Sequence, residues 1–255
     1  MNFFMKIIIS PAKSLDFEKQ LPTKLSSKPL FLNEAEKINS LLKIKSQKSI
    51  KDLMKISEKL AELNWERNQV FSNQSTKNRA AVYAFNGDVY SGLDPYSFSK
   101  KQINTMQNKL FILSGLYGIL KPLDIIKPYR LEMGTPLKIG ASKNLYDFWK
   151  NKITEKLNTL LLDSDLLVNL ASKEYFDVIN IKTLNSRIIS PVFKDFKNGK
   201  FKIISFFAKK ARGMMARHLI ETQATSYNDI LAFDKEDYKY SARETSTESS
   251  PVFIR

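Results

Sequence analysis

Three short apolar runs limit what this chain can become: residues 6–10 (KIIIS), 109–113 (KLFIL) and 166–170 (LLVNL). Each is too short for a buried helix and rich in branched side chains, so each reads as a strand covered on both faces. Strands of that kind belong to sheets with helices packed on them. The intervening chain supplies the helices. Residues 33–44, 49–63, 99–110 and 145–162 carry apolar residues at helical spacing. The clearest is 145–162, where Leu145, Phe148, Trp149, Ile153, Leu157, Leu160 and Leu161 share one face. Residues 187–193 and 201–207 read as a hairpin around Asn198-Gly199. Parallel-type strands together with a hairpin predict a mixed α/β fold, one sheet flanked by helices. No linker, repeat or low-complexity block divides the 255 residues, so one domain over 1–255 is expected, its tail at about 241–255 irregular.

The stretch 113–133 is the most constrained in backbone terms. Gly115 and Gly118 lie three apart, and Pro122 and Pro128 interrupt regular pairing. The alternation in 129–133 then places Tyr129, Leu131 and Met133 on one face, and Arg130 and Glu132 on the other. A second strand carrying a cation beside an anion is expected here.

Charge and the rarer residue types bound the function. The formal net charge is +15, which favours polyanionic partners such as nucleic acid, an acidic surface or phosphorylated molecules. A Lys-rich composition with abundant Asn and Ile also follows from a low-GC genome. There is no cysteine and a single histidine, His218. Thiol catalysis, Cys-based metal sites and His-rich metal or haem sites are thereby excluded. No metal site or cofactor is expected. The N-terminus lacks the pattern of a secretory signal, and no apolar run reaches membrane-spanning length, so a cytoplasmic protein without a membrane partner is expected.

Lys13 follows the first strand and Pro11, in S-x-x-K spacing with Ser10, which makes it the first candidate binding residue. Lys51, Lys55 and Lys59 recur every four residues, before a possible turn at Leu63-Asn64 between two helices. Asp88 follows the Asn86-Gly87 turn. Ser172 is a candidate N-cap for a helix opening at Lys173. Residues 194–217 hold eight basic residues against one acidic residue, Asp195. Within 208–221, Lys209, Lys210, Arg212 and Arg217 share one helical arc, and Ala208, Ala211, Met214, Met215 and Leu219 share the opposite one. That helix is expected to display four cations and bury the rest, with His218 near the apolar side.

Seven blocks also carry a family resemblance: SPAKSLD (10–16), KISEKLA (55–61), AFNGDVYSGL (84–93), SGLYG with PLD and PYRLEMG (114–134), LYDFW (145–149), NLASKEYF (169–176) and NGKFKIISFFAKKARGMMARHLI (198–220). Together the chain resembles the YaaA family of bacterial peroxide-stress proteins. The resemblance implies that family's own mixed fold with a basic cleft, binding of double-stranded DNA, and a role in peroxide survival associated with limiting free iron. It places Lys13, Lys55, Lys59, Arg130, Lys173, Lys209, Lys210 and Arg212 on the cleft. On this reading the protein is a binding protein rather than an enzyme, and no catalytic residue is assigned. The alternative is an enzyme acting on a nucleotide or other phosphorylated small molecule, with Lys13 and Lys173 binding it and Asp88 or Glu132 as acid or base.

Overall fold

The computed structural model describes residues 5–163 and 165–255. Strands β1 (Met5–Ile9) and β2 (Ser14–Leu15) precede three helices, α1 (Leu32–Lys43), α2 (Gln47–Met54) and α3 (Glu58–Val70). Short elements follow: β3 (Arg79–Ala80), α4 (Ala81–Ala84), β4 (Phe85–Asn86) and α5 (Asp88–Leu93). Helix α6 (Lys100–Lys109) leads into β5 (Leu110–Ser114), β6 (Gly118–Leu120) and β7 (Ile125–Ile126). Next come α7 (Leu145–Asn158), β8 (Leu166–Leu170), α8 (Lys173–Phe176) and β9 (Arg187–Ile189). The chain closes with β10 (Val192–Lys197), β11 (Lys200–Lys202), α9 (Ser205–Glu221), α10 (Tyr227–Leu231), β12 (Lys239–Tyr240) and β13 (Val252–Ile254).

The main sheet has the order β6-β5-β1-β8-β9. Strands β5, β1, β8 and β9 are parallel, and β6 turns back antiparallel to β5. The mixed α/β reading therefore holds. Ile7, Ile8 and Ile9 of the central strand are completely buried, as a run covered on both faces must be. A second sheet, β11-β10-β13-β12, pairs β10 parallel to β13, and the buried apolar cluster extends from one sheet to the other. Capping explains several helix starts. Ser99 and Gln102 form a capping box on α6, and the Asn144 side chain accepts from the Asp147 N–H on α7.

Several expectations are corrected. The helix expected over 49–63 is two helices. Lys55 adopts a left-handed conformation (φ 51°) as the end of α2, and Ser57 caps α3 by accepting from the Leu60 N–H. The turn therefore lies at 55–57, and Leu63-Asn64 is mid-helix. The buried face of α3 carries Ala61, Asn64 and Asn68, while Leu60 and Leu63 are exposed. The apolar spacing over 49–63 misled because Asn64 and Asn68 lie on the inner face, where the Asn68 main-chain carbonyl accepts from the Asn39 side-chain amide. Residues 129–133 bury alternately as expected but join no ladder. Residues 203–207 are not strand, because the second hairpin strand stops at Lys202 and α9 starts at Ser205. The hairpin turn stands at Asn198 and Gly199, both at positive φ. Residues 187–189 join the main sheet beside β8. In the tail, residues 252–254 are a largely buried strand paired on both sides.

Candidate functional site

Strand β1 lies between β5 and β8, so the chain leaves β1 toward one side and returns to its other side after β5. In open α/β sheets the crevice at the carboxyl ends of strands around such a reversal is where ligands sit. Here those ends are tied together. The Ser172 N–H, beyond β8, donates to Ser10 Oγ at 2.8 Å, and the Ser10 hydroxyl donates to Ser172 Oγ at 3.3 Å. The Tyr90 hydroxyl donates to the Ser10 carbonyl at 3.1 Å. At the end of β5, Ser114 Oγ and the Tyr129 hydroxyl are 2.6 Å apart.

Over this edge runs the segment 129–133, which acts as a strap. A Cβ on Gly115 would stand 2.3 Å from the Leu131 carbonyl oxygen, so only glycine lets the strap pass. With Tyr129, Leu131 and Met133 buried, Arg130 and Glu132 are turned toward Lys13. Arg130 Nη2 donates to Glu132 Oε1 at 2.8 Å, and Lys13 Nζ stands 3.3 Å from Glu132 Oε2. The three line a shallow crevice with Pro11, Ala12 and Tyr175, its interior only about 10 Å³.

The two ion pairs differ in weight. The Lys13 side chain is 64% exposed, so its pair contributes under about 1 kcal/mol. The Arg130 side chain is 16% exposed, and its Nε is buried with no hydrogen-bond acceptor among the described residues. Arg67 of α3 lies close enough that Arg130, after burial itself, depresses its pKa. Arg67 Nη1 donates to Asn64 Oδ1 at 3.2 Å, and no carboxylate pairs with it among the described residues. Burial raises the pKa values of Tyr90, Tyr129 and Tyr175, so all three stay neutral phenols at physiological pH.

The other predicted residues are distributed more widely. Lys173 opens α8 beside the crevice edge and pairs with Asp177 at 2.7 Å. Lys55 and Lys59 are exposed at the α2–α3 turn. Asp88 opens α5, outside the residues that line the crevice. On α9, Lys209 is exposed, Lys210 pairs with Glu236 at 2.5 Å, and Arg212 is half-buried, its pKa lowered by desolvation. The expected display of four cations is thus corrected. Arg217 donates to the Leu93 and Asp94 carbonyls and to Ser97 Oγ, fixing α9 to the segment after α5. Two faces of α9 are covered, since α5 packs against Gly213 on one of them. His218 is buried, with Nε2 3.1 Å from the Asp229 carbonyl and its ring edge-on to Phe233.

Sequence reasoning missed Tyr129 and Tyr175 as part of the crevice lining, and Arg67 as a neighbour of Arg130. It also missed an aromatic surface on the basic segment. Phe196, Ile203 and Phe206 are 61%, 59% and 57% exposed, and the Phe196 ring meets Phe201 across the hairpin at 5.3 Å. On the same elements Lys197, Lys200 and Lys209 are exposed and Lys202 half-buried, and none of the four makes an ion pair among the described residues.

Among the described residues no group of three or more His, Asp or Glu side chains could hold a metal ion, and no helix is long and apolar enough to cross a membrane. Fold and crevice together define a mixed α/β protein with a charged site at the carboxyl edge of its parallel strands. The family described as peroxide stress protein YaaA matches residues 5–244, and the chain belongs to it. A UPF0246 protein of Flavobacterium johnsoniae is 53% identical over 240 residues, which cover 93% of this chain and 95% of the relative. One from Flavobacterium psychrophilum is 51% identical over 253 residues (98% and 100%), and one from a Marinomonas species is 49% identical over 253 residues (98% and 97%).

Proposed function

We propose that this protein serves the peroxide-stress response by binding DNA through its basic surface. Family membership supports the peroxide-stress role. The observation that carries the DNA reading is the surface of β10, β11 and the start of α9. There Lys197, Lys200, Lys202 and Lys209 have no ion pair among the described residues, and Phe196 and Phe206 of the same elements are exposed. Unpaired lysines neutralise phosphates, and exposed rings offer stacking to bases where a duplex opens. Binding should be largely independent of sequence and should fall steeply between about 50 and 200 mM salt. Changing the four lysines together to Ala should weaken binding on every sequence and lower the salt slope by about 3–4. Fluorescence anisotropy at several salt concentrations measures both. Affinity that is equal at both ends of the salt range, or unchanged in the variant, speaks against this reading.

Protection on this reading is indirect: DNA is occupied, and survival is associated with limited free iron rather than with turnover of peroxide. The chain has no thiol to oxidise and its only imidazole is buried. Purified protein treated with chelator is expected to remove peroxide no faster than buffer. Sustained catalytic loss of peroxide in that assay would refute indirect protection.

A further inference from the structure

We propose that the crevice between Lys13 and the 129–133 strap is a binding site for a small phosphoryl dianion, and that Glu132 is the resident carboxylate the ligand displaces. The site is separate from the lysine and phenylalanine surface assigned to DNA above.

Four observations lead there. The crevice lies at the carboxyl ends of parallel strands where the strand order reverses, which is where this class of sheet takes its ligands. Lys13 and Arg130 converge on one carboxylate, Glu132, and its displacement leaves an excess of two positive charges facing the ligand. That excess suits a phosphomonoester or pyrophosphate better than a monoanionic phosphodiester. The Arg130 Nε is buried without an acceptor among the described residues, an unmet donor that an oxyanion would satisfy. The crevice as it stands has an interior of about 10 Å³, room for a single water, so an anionic head group enters only where the Glu132 carboxylate gives way, and the remainder of the ligand stays outside. A duplex cannot enter.

Glu132 gives this reading its distinctive sign. Its two oxygens already bridge Arg130 and Lys13, as the oxygens of a bound phosphoryl group would. If the carboxylate competes with the ligand, neutralising it must strengthen binding. If the three residues form only a structural ion-pair network, neutralising it brings no gain.

Isothermal titration of the full-length protein with pyrophosphate tests this, with every variant first shown folded by thermal unfolding. Saturable binding is expected in the wild type. Affinity should fall about tenfold or more in Arg130→Gln, and rise about threefold or more in Glu132→Gln. Lys13→Ala, at an exposed side chain that folding does not need, should weaken binding about threefold and carries the test should Arg130→Gln fail to fold. The alanine variant of Lys197, Lys200, Lys202 and Lys209 should keep pyrophosphate affinity, so failure of the DNA reading and failure of this one are told apart. The proposal is overturned by absence of binding at millimolar pyrophosphate, by unchanged or weaker binding in Glu132→Gln, or by pyrophosphate affinity that falls with the four surface lysines.

Discussion

Gly213→Ala is expected to destabilise this protein by about 3 kcal/mol or more, although alanine in a helix interior is ordinarily the better residue by about 1 kcal/mol. Gly213 lies within α9, where the helix meets α5. A Cβ there would stand 1.9 Å from the Val89 carbonyl oxygen and 2.8 Å from the Leu93 nitrogen. The mirror contact is equally close, because a Cβ on Gly92 would stand 2.1 Å from the Lys210 carbonyl oxygen. Both obstacles are backbone, so no side chain can rotate away, and the helices must separate. Separation would strip contacts from Met214 and Met215 beneath α9 and loosen the Arg217 clamp on Asp94 and Ser97. Helix propensity is the smaller effect, and the clash decides the sign. Urea unfolding measures it, with Lys209→Ala as an exposed control on the same helix that should stay within about 0.5 kcal/mol of wild type. A Gly213→Ala protein as stable as wild type would mean that α5 and α9 do not approach this closely.

The same helix shows where sequence reasoning stops. Its amphipathic arc correctly placed Ala208, Ala211, Met214, Met215 and Leu219 inside. The arc says nothing about a second covering element, and that element is what recruits Arg217 and half-buries Arg212. The parallel strands were legible because a short branched run buried on both faces has few alternatives, and β8 spans the predicted residues. The α2–α3 break was written locally, in Ser57 followed by Glu58, a cap and a first-turn acid. The apolar helical spacing read across 49–63 hid that signal. At the crevice, Lys13, Arg130 and Glu132 were legible singly, from the end of a strand and from an alternating pattern. Their convergence was not, because it depends on a strap crossing the end of β5 over Gly115, a contact of distant chain segments. Arg67 comes from α3, whose inner face is polar, so no periodicity marked it as a neighbour of Arg130.

Trp149→Ala should cost about 4–6 kcal/mol, a large part of the about 5–15 kcal/mol that keeps an ordinary protein folded. Trp149 is completely buried on α7, with Phe31 at 5.4 Å and Phe148 at 4.9 Å between ring centroids. Its removal leaves a cavity worth about 3–5 kcal/mol. It also strands the Gly115 carbonyl, which accepts from the indole N–H at 2.9 Å, and an unpaired buried acceptor costs about 1–3 kcal/mol more. The two costs overlap, since a cavity that admits water repairs part of the second. Trp149→Phe separates them: most of the ring volume stays, the N–H goes, and the loss should be about 1–3 kcal/mol. The position of Gly115 gives this variant a second readout. Gly115 holds the backbone on which the 129–133 strap rests, so a Gly115 freed of its indole bond should let the strap open more often. Amide hydrogen exchange should therefore quicken at Met133, whose N–H donates to the Tyr175 hydroxyl, in Trp149→Phe while β1 stays protected. Uniform acceleration across the sheet would instead mean that the indole bond supports the core as a whole, and that the strap has no separate dependence on α7.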